Sequence, residues 1–114
     1  MIRVYIAGPY NAHSIIKVLN NIRVGINMAV VLLQAGFAPF CPFLDFQFQL
    51  QAELTVKQFK AFSMAWVEVS DAIFMLDGWE QSAGAIAEKE EAERLDIPVF
   101  YRLEELYKYD FSKA

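Results

Sequence analysis

Residues 72–95 read AIFMLDGWEQSAGAIAEKEEAERL. Ala72 to Leu76 is a short, wholly apolar run, which predicts a buried strand. Asp77-Gly78 breaks it, and a helix is predicted from Gly84 to Leu95. The segment from Gly78 to Glu88 therefore places a small-residue turn, the Ser82 hydroxyl and the Glu88 carboxylate at the carboxyl edge of a parallel sheet, where open α/β proteins bind ligands. At helical spacing Gly84, Glu88, Ala92 and Leu95 share one face, while Lys89, Glu90, Glu93 and Arg94 take the solvent side. An acid on the small, apolar face has to be paired, neutralised or used.

Working outward, Ile2 to Ala7 (IRVYIA) is a first buried strand, ended by Gly8-Pro9. From Ser14 the apolar positions Ile15, Val18, Leu19, Ile22, Ile26, Ala29, Val30 and Leu33 recur at helical spacing, with Ser14 or Asn11 as cap and Gly36 at the end. Phe37 to Cys41 is a second strand closed by Pro42. Phe43 to Glu53 (FLDFQFQLQAE) has no clean period: it reads either as a loop or short helix packed on the core, or as a mobile flap walling a pocket with Phe43, Phe46 and Phe48. Thr55 to Val69 is a helix with Phe59, Phe62, Ser63, Trp66 and Val67 inward. Ile97 to Tyr101 is a fourth strand and Leu103 to Tyr107 a last helix.

The alternation β-α-β-α-β-α-β-α predicts one α/β domain over residues 1–114: a doubly wound parallel sheet of about four strands between two helical layers, flavodoxin-like or Rossmann-like. Strand order 2-1-3-4 puts the switch point between strands 1 and 3. Gly8-Pro9-Tyr10 and Asp77-Gly78-Trp79 then converge on one crevice.

Composition narrows the function. Of 114 residues, 56% are hydrophobic, with ten Phe, five Tyr and two Trp, a surplus that suits an apolar ligand pocket or a subunit interface. A net charge of −4 opposes binding of a nucleic acid polymer but not of one nucleotide at a helix start. The single Cys41 excludes an intrachain disulfide and is read as a packed thiol. No His/Asp/Glu spacing recurs, so neither a metal nor another cofactor is expected. The longest uninterrupted apolar run, Met28 to Leu33, is too short to span a bilayer, so the expectation is a cytoplasmic protein without a membrane partner.

The segments YIAGPY, GFAPFCPFLDF, Ser70-Asp71, GWEQSAGAIAE and IPVFYRLEEL, in this order and spacing, resemble the nucleoside 2-deoxyribosyltransferase superfamily, in its small phage and bacterial branch, and are also similar to 2′-deoxynucleoside 5′-phosphate N-hydrolases. The resemblance implies that Glu88 is the nucleophile attacking the anomeric carbon of a deoxyribose. It implies that Ser82 holds a 5′-phosphate and that the Gly8-Pro9 turn lines the sugar–phosphate site through its backbone; from the residues themselves, Tyr10, which either stacks on a base or covers the core, Asp45 and Gly84 are further candidates for substrate binding. The resemblance also implies a homodimer or higher homo-oligomer, to which Tyr101, Tyr107, Tyr109 and Phe111 would contribute. The family's acid eight residues before Asp71 is here Ser63. The place is kept on the inward face of its helix, but its acidity is lost.

Breaking an N-glycosidic bond builds positive charge on the sugar, which a carboxylate stabilises or captures. The departing base also needs a proton, and Ser63 is a poor acid. Asp45, Asp77 and Glu80 are the remaining acids near the crevice. His13 reads as an exposed loop histidine, Arg23 as a surface charge beside Asn20 and Asn27, and Asp71 as a tie to the end of the preceding helix. Three functions stay open: an enzyme that cleaves or transfers the base of a 2′-deoxyribonucleoside or its 5′-monophosphate, a nucleotide-binding protein without turnover, and an oligomeric interaction module.

Overall fold

The computed structural model describes residues 1–113; the last residue of the expected 1–114 domain, Ala114, lies outside them. Strand β1 (Arg3–Ala7) lies at the centre of a four-stranded, all-parallel sheet. Its neighbours are β2 (Ala38–Phe40) on one side and β3 (Ala72–Met75) on the other, with β4 (Val99–Phe100) beyond β3. The order β2-β1-β3-β4 is the one expected, and the switch point falls between β1 and β3. Each strand is a residue or more shorter than its apolar run, because pairing stops where the neighbour's register ends.

Strand alternation divides the core. Val4 and Ile6 of β1 join Ala72, Phe74, Phe100, Leu32 and Leu106 on one face, beneath α1 (Ile15–Gln34) and α4 (Leu103–Lys108). Tyr5 and Ala7 point the other way and join Ile73, Met75, Val67, Ala85 and Ala92, from α2 (Val56–Glu68) and α3 (Ala83–Arg94). The tyrosine of β1 thus faces α3.

Helix α1 departs from its predicted packing. Ile15, Leu19, Ile26, Val30 and Leu33 are exposed, and the buried positions are Gly25 and Leu32, flanked by Ile22, Met28 and Ala29. The apolar positions of the helix cover more of its surface than one neighbouring layer can bury, so periodicity alone does not select the buried part; Gly25 does. A β-carbon there would stand 1.9 Å from the Phe43 ring, so the helix seats Phe43 only through its glycine. Gly25→Ala is expected to lower stability by about 1–3 kcal/mol through overpacking, seen as a fall in Tm. The helix is also 20 residues long with mean hydropathy 1.5, enough by length and composition to cross a membrane, although its uninterrupted apolar run is short.

Phe43 to Glu53 resolves as a 3₁₀ segment (Pro42–Leu50), started by Pro42 and anchored by the buried Phe43. Asp71 does not hold the preceding helix: its carboxylate accepts from the Arg3 backbone N–H at 2.8 Å, clamping the start of β1. Ser70 secures the helix end instead, donating to the Trp66 carbonyl at 2.8 Å.

Candidate functional site

Two turns meet at the switch point. The Leu76 N–H donates to the Ala7 carbonyl at 2.8 Å, carrying the β1–β3 pairing to the edge of the sheet. Beyond it, a β-carbon on Gly8 would stand 2.7 Å from the Leu76 β-carbon, so only glycine lets the first turn lie this close. Gly78 takes φ +88°, the left-handed conformation that glycine adopts without strain, and packs beside Pro9.

A cleft of about 920 Å³ opens over these turns. Its floor and one wall are Gly8, Pro9, Tyr10, Gly78 and the start of α3, with Ser82, Gly84 and Glu88. The facing walls are Phe43, Asp45 and Phe46 of the 3₁₀ segment and Phe59 and Ser63 of α2. All eight residues proposed from sequence for substrate and chemistry therefore line one cavity. Asp77 and Glu80 are not among its lining residues. Phe48 is not either; it packs edge-on against Phe62 at 5.8 Å. His13, Lys17 and Lys60 stand on the rim, all exposed. Arg23 lies outside the cleft, beside Asn20 at 3.5 Å.

The inward face of α3 keeps Glu88 and Ala92 of the predicted stripe, takes Ala85 in place of Gly84, and leaves Leu95 exposed. Ala85, Glu88 and Ala92 face the sheet, whereas Gly84 is exposed and a β-carbon there would meet only the Ser82 hydroxyl, at 4.0 Å. Lys89 is drawn off the solvent side, 5.5 Å over the Trp79 ring and paired with Glu93 at 3.2 Å.

Glu88 is part-buried and accepts a hydrogen bond from the Tyr5 hydroxyl at 2.6 Å. Burial pushes its pKa up to about 7; the Tyr5 hydrogen bond pulls it down and the Asp45 charge adds to the rise. Burial wins over the hydrogen bond, so a proton is exchanged near neutral pH. Tyr5 is itself fully buried, and burial together with Glu88 holds its hydroxyl protonated, with the Ser63 hydroxyl acting in the opposite direction on its oxygen. Ser63, Tyr5 and Glu88 thus form one linked set. Asp45 is held up to about 6 by burial. The Tyr10 hydroxyl is raised by burial and then by Asp45, and its ring stacks on Phe43 at 6.1 Å.

Ser82 caps α3, its oxygen accepting from the Ala85 N–H at 3.2 Å, which leaves its own proton to donate. Sequence reasoning passed over Tyr5. Its signal is alternation: in RVYIA the one hydroxyl sits on the face shared with Ala7, towards the helix that carries Glu88. Tyr107 stacks on Phe37 at 5.8 Å, Tyr101 lies 5.7 Å from Trp79, and Tyr109 packs with Phe100 and Phe111. These rings have partners within the chain.

Residues 2–101 match the family described as "Domain of unknown function (DUF4406)". The chain is a member of the DUF4406 family. No curated protein matches this DUF4406 chain. A solved structure of a 2-deoxyribosyltransferase from the psychrotolerant bacterium Bacillus psychrosaccharolyticus superposes on it with TM-score 0.58. The overlap covers 97% of this chain and 94% of that one at 16% identity, so the DUF4406 domain and that enzyme share a fold.

Proposed function

We propose that this DUF4406 protein, as a single domain over residues 1–114, cleaves or transfers the base of a 2′-deoxyribonucleoside or its 5′-monophosphate through a glycosyl link to Glu88. The observation that carries the reading is a carboxylate that lines the switch-point cleft, is tethered by Tyr5 at 2.6 Å and titrates near neutral pH. An oxygen so held has one fixed approach to an anomeric carbon in the cleft. The solved enzyme of the same fold is described as a biocatalyst for synthesis of nucleosides, which supports the substrate class. Gly8, Pro9 and Gly84 leave room for a sugar beside backbone, Tyr10 offers a ring for a base, and Ser82 with the amides of α3 suits a phosphate. Ser82 in a place where a carboxylate would repel a phosphate favours a monophosphate and hydrolysis.

Incubation with the deoxynucleosides and their 5′-monophosphates, followed by chromatography, is expected to show free base. Absence of base from every one of them contradicts the enzyme reading. Ser63 in place of an acid supports a second reading, nucleotide binding without turnover, which predicts saturable binding by calorimetry and no released base. The exposed Ile15, Leu19, Ile26, Val30 and Leu33 of α1 support a homo-oligomer, and the small-molecule substrate fits a cytoplasmic protein.

A further inference from the structure

Resting on that reading, we infer that Asp45 is the general acid that protonates the departing base, in the role Ser63 cannot fill. Loss of the base leaves an electron pair on a ring nitrogen, and a serine hydroxyl is too weak an acid to neutralise it near pH 7. Another donor has to reach the cleft. Among the described residues two carboxyl groups line it, Glu88 and Asp45. Glu88 is engaged by Tyr5 and faces the sheet side, on α3. Asp45 stands on the opposite wall, on the 3₁₀ segment beside Phe43 and Phe46, close enough that its charge acts on both Glu88 and Tyr10. A sugar over Glu88 would then extend its base towards the aromatic wall that carries Asp45.

The other titratable groups of the cleft do not suit the role. Tyr5 donates to Glu88, and the Tyr10 hydroxyl is made a weaker acid by burial and by Asp45 itself. His13, Lys17 and Lys60 are exposed at the rim. Among the described residues Asp45 has no hydrogen bond or ion pair to hold it ionised, and desolvation keeps its proton available to about pH 6.

The step balances without another reactant. A Glu88 oxygen forms a bond to C1′ while the C1′–N bond breaks, its electron pair staying on the base. The Asp45 proton passes to a ring nitrogen of that base, leaving a carboxylate at position 45. Water then attacks C1′, its proton returns to Asp45, and Glu88 leaves as the carboxylate. In transfer, a second base replaces the water.

The test compares two leaving groups. An ordinary 2′-deoxyguanosine substrate needs the proton, whereas its 7-methylated form already carries the positive charge and departs neutral. Asp45→Asn is expected to lose about 10²–10⁴-fold on the ordinary base, the usual size of a general-acid contribution, and to stay close to wild type on the methylated one. Glu88→Gln is expected to lose activity on both. Equal loss by Asp45→Asn on both bases, or no loss on either, overturns the inference while leaving the Glu88 reading intact. A selective loss in His13→Ala in its place does the same. No release of either base by the wild-type protein overturns the reading as well. A measurement on the wild type alone guards against a misfolded variant: the rate ratio of methylated to ordinary base is expected to rise with pH as Asp45 ionises. A flat ratio contradicts the inference.

Discussion

Glu88→Gln is expected to abolish base release and, in the same protein, to raise the melting temperature at pH 8. The first effect follows from chemistry. The amide has the shape of the acid but is no nucleophile, so the rate is expected to fall at least about 10³-fold. The second follows from desolvation. Glu88 has a folded pKa of about 7 against an ordinary 4.5, so between these values the folded state binds more protons than the unfolded chain. Wild-type stability therefore falls as pH rises through this window, and above pH 7 the cost of the buried charge is complete. Its size is on the order of 3 kcal/mol. Gln still accepts the Tyr5 hydrogen bond and carries no charge. The variant is expected to gain stability at pH 8, gain little at pH 4, and show a flatter dependence between. Melting curves at the two pH values check this. A loss of stability at pH 8 would mean that Glu88 is a structural partner of Tyr5 and not a charge held for use.

Tyr5→Phe is expected to move the acid limb of the pH–rate profile upward. Its hydroxyl donates to Glu88 at 2.6 Å and favours the ionised form. A hydrogen bond to a charged group contributes about 1.5–3 kcal/mol, so its loss raises the Glu88 pKa by roughly 1–2 units. At pH 6.5 the rate is expected to fall about 10–100-fold, because less Glu88 is ionised. The deficit narrows as pH rises past the new value. The 7-methylated substrate is the one to use, since it removes the dependence on Asp45. A uniform loss at every pH would assign Tyr5 to packing alone.

Much of this arrangement was legible in the sequence, for physical reasons that differ from element to element. Four short apolar runs alternating with helical periods leave little choice but a parallel sheet. Right-handed crossovers bring Gly8 and Gly78 to one edge. Glu88 stood out because it interrupts a small-residue face. Three features were not legible. The inward face of α1 is set by one contact, Phe43 against Gly25, between segments whose approach no local pattern encodes. The first turn of α3 presents Ala85 and not Gly84 to the sheet, and where both residues are this small no local pattern ranks one over the other. The ranking of Asp45 over Asp77 and Glu80 depends on where the 3₁₀ segment closes over the cleft, and a segment without a period gives no direction for its side chains.

The stereochemistry of the product tests the Glu88 link most directly. Base release run in aqueous methanol yields a methyl 2-deoxyriboside, whose anomeric configuration is read by NMR. Two successive displacements at C1′, the first by Glu88, predict the configuration of the starting nucleoside. The inverted anomer would show that solvent attacks the substrate itself and that no glycosyl bond to Glu88 forms.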